Sequence, residues 1–326
     1  MSEIVHTNRE IQTMITIPLD QNPAAVYLAR LTTENSRSGI RWCLNLAASI
    51  LSSGQSDYLN LDWPKLRYPH IVALKAKLIS PHPTPRREKP YSVGTANLAL
   101  CAVKGVMKES WKLGLISDSI HLRITAEPNL RGESLPAGRA LTTSEIEKLF
   151  DVCRKNGGVG GIRDTALLAI MLGAGLRRTE VSDLDLEDWD CEESLIVVRQ
   201  GKGRRPREVP ISKQVNRAIS TWVDLRGKDE GPLFTQIHIG GSIYIKRLQP
   251  EAVYAILERR WIEAGIEKVS PHDLRRSYIT NLLSNGNDLA SVAKLAGHRS
   301  TDTTMLYDRR GLESLREAAE SLELPC

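Results

Sequence analysis

The chain has 326 residues, 41% of them hydrophobic and 25% charged, a composition ordinary for globular protein and a length that allows two domains with two cores. Its net charge of +5 sits wholly in residues 1–130, which hold 15 Lys and Arg against 10 Asp and Glu; residues 131–326 are balanced at 29 of each. An anionic partner is therefore expected for the first part. Five scattered cysteines, Cys43, Cys101, Cys153, Cys191 and Cys326, include no C-x-x-C spacing. They support neither a zinc site nor a disulfide framework and read as reduced thiols. The polar first ten residues lack a signal-peptide core, and no apolar run approaches the ~20 residues of a membrane span. A cytoplasmic protein without membrane contact is expected.

Residues 1–21 have little pattern and read as a tail. Asn22-Pro23 reads as N-cap and first helical residue, followed by Val26, Tyr27 and Leu31. Ser38 opens a longer segment with Ile40, Leu44, Leu46, Ala47 and Leu51 at helical spacing, stopping near Gly54. Trp63-Pro64 precedes a third helix from about Tyr68 to Leu78. After a Pro-rich break over 81–90, a fourth runs from Ser92 through Leu98, Leu100, Val103, Val106 and Met107 to Leu113, stopped by Gly114. These apolar stripes are core, so residues 22–128 read as a small four-helix domain. Lys75, Lys77, Arg86, Arg87, Lys89, Lys104, Lys108 and Lys112 are its candidates for phosphate contact.

Residues 129–140 read as an interdomain linker by their Gly, Pro and polar content. Thr142 or Thr143, followed by Glu145 or Glu147, has the form of a capping box. Gly157 to Gly161 does not fit the phosphate-loop spacing G-x-x-x-x-G-K-[ST] and reads as a plain turn. An apolar helix from Arg163 to Leu172 continues into G-A-G-L-R-R-T-E, residues 173–180, where Arg177 and Glu180 share a face. Ser194 to Arg199 is a β-branched strand and Arg207 to Ile211 the return strand. The turn between them, Gln200-Gly-Lys202-Gly-Arg204-Arg205, is dense in positive charge. Residues 216–227 read as helix and 229–249 as a loop or short hairpin. Pro250 opens a helix to about Gly265, whose Arg259-Arg260 pair the sequence leaves without a role.

Ser270-Pro271 reads as N-cap and first residue of a helix that runs to about Asn285, with Asp273 in its first turn. Asp288 caps a second helix ending at Gly297, and Ser300 or Thr301 opens a third. His272 and Arg275 share one face of the first turn, beside exposed N–H groups at the positive end of the helix, where a phosphate can be held. That position also disfavours an imidazolium and keeps His272 nearer its neutral form. His298 follows a C-cap glycine, and Tyr307 lies near the end of the third helix.

His272-Asp-Leu-Arg275, Leu295-Ala-Gly-His298 and Thr304-Met-Leu-Tyr307, taken in order, resemble the C-terminal signature of the tyrosine recombinases, or phage-type integrases, in their Xer-like and integrase branch. Gly175-Leu-Arg177 with Glu180, Val181 and Leu184 resembles the other half of that signature. The resemblance covers roughly residues 140–310 and extends weakly over 22–128, which looks like a SAM-like core-binding domain. Arg276 departs from the pattern, since many members have a second His there. The resemblance implies a mainly α protein with a small β-hairpin sheet, its α+β catalytic domain spanning 141–310. Residues 311–326, amphipathic through Leu312, Leu315, Ala318, Ala319 and Leu322, would then either fold back in cis or be exchanged between protomers.

The same resemblance implies a site-specific recombinase with Tyr307 as nucleophile and Lys202, presented by the β-hairpin, as general acid. Arg177, selected over Arg178 by the family register, and Arg275 would bind the phosphate. His272 fits the base, His298 a hydrogen-bond donor, and Glu180 the family's supporting acidic position; Arg204 and Arg205 join the DNA-binding candidates. No carboxylate cluster with metal-ligand spacing appears, so neither metal nor cofactor is expected. Double-stranded DNA carrying specific sites is the expected partner. Four protomers on two sites are implied, with room for accessory DNA-bending or directionality proteins.

This chemistry is coherent. Rejoining DNA without an energy source requires that the phosphodiester's energy be kept, which a phosphotyrosine intermediate does. Arginines can bind the non-bridging oxygens bidentately and stay charged at any working pH. A free phenol has a pKa near ~10 and needs a base or cationic surroundings. A type IB topoisomerase would share this chemistry, and a non-catalytic DNA-binding regulator is the non-enzymatic alternative. If residues 1–130 supply much of the phosphate contact, DNA affinity should fall with salt at a slope near ~0.9 per phosphate neutralised. Comparing the full chain with residues 135–326 across a salt series checks this; unchanged affinity and slope on deletion would refute it.

Overall fold

The structure, a computed structural model, describes residues 18–81, 83–84, 87–132, 138–199, 206–298 and 300–307. The chain divides into two units, Met1–Leu135 and Pro136–Cys326. In the first, side-chain caps set the helix starts. Asn22 accepts from the Ala24 and Ala25 N–H groups and opens α1 (Pro23–Ala29). Thr33 caps α2 (Glu34–Leu51), which therefore begins four residues before the expected Ser38. Then come α3 (Tyr68–Leu78) and α4 (Val93–Lys112), the latter capped by Ser92. A further short helix, α5 (Asp118–Thr125), joins the four read from sequence. Ile124 is its one buried residue, so it left no apolar stripe to read. Leu44, Ala47, Trp63, Leu74, Leu100, Val103 and Val106 are among the residues that fill this unit's core.

The second unit is built around α7 (Gly158–Gly173), an apolar helix buried on nearly every side. It follows α6 (Thr143–Asn156), which carries the Thr142–Glu145 capping box. The glycine-rich stretch 157–161 is thus not a plain turn: it joins α6 directly to the first turn of α7. The reason is steric, since a Cβ on Gly161 would run into the Cys153 carbonyl of α6. The helix does not continue to residue 180 either. It stops at Gly173, and a bend leads into α8 (Arg178–Asp183).

A three-stranded antiparallel sheet follows in the order β1 (Trp189–Asp190), β2 (Leu195–Val198), β3 (Arg207–Pro210). In its register Leu195 faces Pro210 and Val198 faces Arg207. After α9 (Lys213–Arg226), residues 229–249 contain a hairpin, β4 (Thr235–Ile237) and β5 (Ile243–Arg247). The chain continues through α10 (Pro250–Glu263), α11 (Pro271–Ser284), α12 (Leu289–Ala296) and α13 (Thr301–Met305). Helices α6, α9 and α11 all pack on α7. A smaller apolar cluster of Tyr278, Ile279, Leu283, Val292, Ala296 and Tyr307 lies beside the main core. No helix among the described residues is long and apolar enough to cross a membrane.

One polar cluster locks α7 to α10. Asp164 is fully buried, and its carboxylate accepts from Arg163, Arg259 and Arg260 at 2.6–3.0 Å. The Arg259-Arg260 pair thereby acquires its role. Arg163 and Arg260 are themselves buried, so neutralising Asp164 would leave their charges uncompensated. Asp164→Asn should cost about 3–5 kcal/mol of stability, measurable as a lowered midpoint in urea unfolding.

Candidate active site

The bend after α7 places Arg177 at the N-cap of α8. Glu180 reaches back to it, accepting from the Arg177 backbone N–H at 2.9 Å and from its Nη1 at 2.8 Å. Arg207, at the start of β3, donates Nη1 to Glu180 Oε1 at 3.1 Å and Nη2 to Oε2 at 2.8 Å. Glu180 is only 3% exposed. Burial alone would push its carboxyl up, but hydrogen bonds from Arg207 and the Arg177 N–H, with the charge of both arginines, hold it down at about 2. Arg177 keeps its side chain 31% exposed, against 2% for that of Glu180.

Arg275 stands one turn into α11, whose start Ser270 and Asp273 close with a capping box. Its guanidinium is clasped between two carbonyls, with Nη1 donating to Gly175 at 2.5 Å and Nη2 donating to Ala296. It thereby bridges the bend before Arg177 and the end of α12. Burial and the like charge of Arg177 push it down to about 10, still protonated at neutral pH. One turn earlier is His272. Burial, then the charge of Arg275, push its imidazole below the usual histidine range.

Gly297 ends α12 in the left-handed conformation and turns the chain toward His298. His298 Nδ1 pairs with Thr304 Oγ1 at 2.8 Å, which engages one ring nitrogen and fixes the ring's orientation. The ring stacks on Tyr307, with centroids 6.1 Å apart and planes at 21°. The Tyr307 hydroxyl lies 3.3 Å from His272 Nε2. Arg177, His272, Arg275, His298 and Tyr307 are therefore brought together. Tyr278, by contrast, has its phenol pushed up by burial within the small apolar cluster.

The sequence profile of the Phage integrase family matches residues 139–311. The chain is also 34% identical over 238 residues to tyrosine recombinase XerA of Pyrococcus furiosus, spanning 73% of this chain and 77% of the relative. The chain belongs to the phage integrase family. It is a site-specific recombinase of the tyrosine type. The fold of integrases extends over nearly its whole length. The Tn1549 transposon integrase, solved with transposon right-end DNA, superposes with a TM-score of 0.65 at 16% identity, covering 93% of this chain and 99% of that one. XerH, solved on a palindromic difH substrate, gives a TM-score of 0.62 at 19% identity, covering 95% and 98%.

Among integrase positions, Lys202, Arg204 and Arg205 lie outside the described residues. In sequence they fall between Val198 and Arg207, and Arg207 rests on Glu180. Arg207 and Thr304 are the site residues that sequence reasoning passed over. A signal existed for Arg207: it shares a strand face with Val209, which is fully buried, so it is an inward-facing arginine. Of the phosphate candidates in the first unit, Lys77 and Lys108 are exposed. Arg87 is exposed too and lies 4.3 Å above the Tyr91 ring centroid; Arg86 is outside the described residues. Lys75 donates to Glu127 Oε1 at 2.6 Å and the Pro128 carbonyl at 2.7 Å, and Lys104 to the Glu127 carbonyl at 2.5 Å. Both ammonium groups thus tie the chain after α5 to α3 and α4. Among the described residues, no group of three or more His, Cys, Asp or Glu is placed to hold a metal ion.

The Glu180 cluster sets an acid limit. Its carboxyl sits near 2 in the folded chain against an ordinary 4.5, so its contribution to stability is complete above about 4.5 and is lost as pH falls toward 2. Wild type should therefore be more stable than Glu180→Gln at neutral pH. The gap should close between pH 4.5 and 2, as read from denaturant unfolding at each pH.

Proposed function

We propose that this recombinase cuts and rejoins double-stranded DNA by forming a bond between the Tyr307 oxygen and the scissile phosphorus. The observation that carries this reading is the Tyr307 hydroxyl 3.3 Å from His272 Nε2, beside a guanidinium clasped at the helix start. In the forward step the phenol oxygen attacks phosphorus and its proton passes to His272, whose depressed pKa keeps it neutral and able to accept one. The P–O5′ bond breaks, and Lys202 gives the departing oxygen its proton. Attack by another DNA hydroxyl on the phosphotyrosine reverses the sequence and joins the strands. Arg177 and Arg275 hold the non-bridging oxygens, and His298, its ring oriented by Thr304, serves as a hydrogen-bond donor to the phosphate.

The neighbours solved on DNA support double-stranded DNA as the partner. Assembly as four protomers on two sites, with residues 311–326 exchanged between them and accessory DNA-bending or directionality proteins assisting, belongs to the same reading. So does a cytoplasmic workplace, where the free cysteines stay reduced. Neither topoisomerase-like relaxation nor non-catalytic regulation gains an observation in its favour.

The test needs a DNA probe, obtained by covalent capture from a random-sequence duplex library and then nicked so that the cleaved fragment diffuses away. Wild type should form a denaturant-resistant adduct without added metal, with Tyr307 as the attached residue in peptide maps. Tyr307→Phe should bind but give none. Arg177→Ala and Arg275→Ala should slow attachment by roughly 10²–10³-fold. Lys202→Ala should also be slow but recover on a 5′-thiol leaving group, which scarcely needs a proton. Attachment elsewhere than Tyr307, or a requirement for Mg²⁺, would overturn the reading.

A further inference from the structure

Arg276 stands where many tyrosine recombinases have histidine, and it is 1% exposed. Its Cζ lies 5.6 Å from the centroid of the Tyr307 ring, within the range at which a guanidinium is drawn to a ring face. Its Nη1 donates to the Gly138 carbonyl at 2.7 Å. The Arg139 N–H in turn donates to Asp273 Oδ1 at 2.8 Å, and the Leu141 N–H to Ser277 Oγ at 2.8 Å. Residues 138–141 are thus strapped along α11 at positions 273, 276 and 277, which neighbour one another on the helix surface. The strap fits closely. Gly138 has φ +88°, and a Cβ there would run into the Asp273 carboxylate.

We propose that Arg276 is a positioning residue for the nucleophile, and that the strap Gly138–Leu141 holds Arg276 in place. The proposal rests on the reading of Tyr307 as nucleophile. His298 stacks on the Tyr307 ring and His272 meets its hydroxyl, but a swing of the ring would carry the oxygen away from His272. A guanidinium over the ring opposes that swing. Arginine suits the task because one edge of its rigid fork can bond a carbonyl while the charge stays beside the ring. No step of the reaction is assigned to Arg276 itself. It acts through where the phenol oxygen stands, and the strap acts through Arg276.

The full chain and the nicked duplex selected above test this, with attachment followed at saturating DNA. Arg276→Gln and Gly138→Ala are expected to bind the duplex as wild type does, yet attach roughly 10- to 100-fold more slowly, the scale of a misplaced reacting group. Arg276→Lys, which keeps the charge, should recover part of the rate. Both changes act through one element, so the double variant should be little slower than the slower single one. Wild-type rates in either single variant overturn the proposal, as do multiplicative effects in the double variant or binding lost in step with rate. Should Arg276→Gln fail to fold, Gly138→Ala and Arg276→Lys decide by the same readings. Adduct mapping in wild type keeps the two levels apart. Attachment away from Tyr307 removes the nucleophile reading, whereas attachment at Tyr307 with unaffected variants removes only the role of Arg276.

Discussion

A carboxylate with almost no water around it holds this active site together. Alone, Glu180 would take up a proton rather than remain charged in such a place. It stays ionised because Arg207 and Arg177 donate to both of its oxygens. That single pairing fixes the start of α8 against the hairpin of β2 and β3. Arg275, gripping the Gly175 and Ala296 carbonyls, extends the same frame to α11 and α12. Three guanidiniums then surround one acid, and the positive excess is what a phosphodiester would meet.

Asp164 shows the same device used for architecture alone. Its oxygens gather Arg163, Arg259 and Arg260 where α7 meets α10. The balanced charge of residues 131–326 concealed both clusters, because a sum does not show that two of its acids, Glu180 and Asp164, are buried. A net charge counts groups without depth. For a catalytic unit that must attract DNA, depth decides which sign faces outward.

Much of this was legible wherever the chain punctuates itself. Ser270-Pro271, Asp288 with Gly297, and Ser300 each mark a boundary that α11, α12 and α13 respect, because caps act locally. The candidate residues around them were legible for a different reason: His272 and Arg275 lie one turn apart, so helix geometry alone joins them. Elsewhere the deciding contacts were distant in sequence. Gly157 to Gly161 reads as a turn until the close approach of Cys153 is known. The break at 174–176 had a local mark in Gly173 and Gly175, the latter at φ +60°, but isolated glycines are also tolerated inside an apolar helix, so the pattern alone did not decide it. Arg207 looked like one more charge on a basic hairpin, since nothing nearby announced that Glu180 waited for it.

Tyr307 belongs to the small apolar cluster and not to the main core. The distinction bears on dynamics. Helices α12 and α13 are short, and their anchorage on α11 rests on a few side chains such as Leu283, Val292 and Ala296. Segments of this kind open locally at a free energy below that of global unfolding. Opening confined to α13 would carry the hydroxyl away while Arg275 keeps its bond to Ala296 at the end of α12 and Glu180 keeps its arginines. The two halves of the site thus differ in stability: the ring of Tyr307 sits on the part that opens at lower free energy, and the Glu180 cluster on the part that does not.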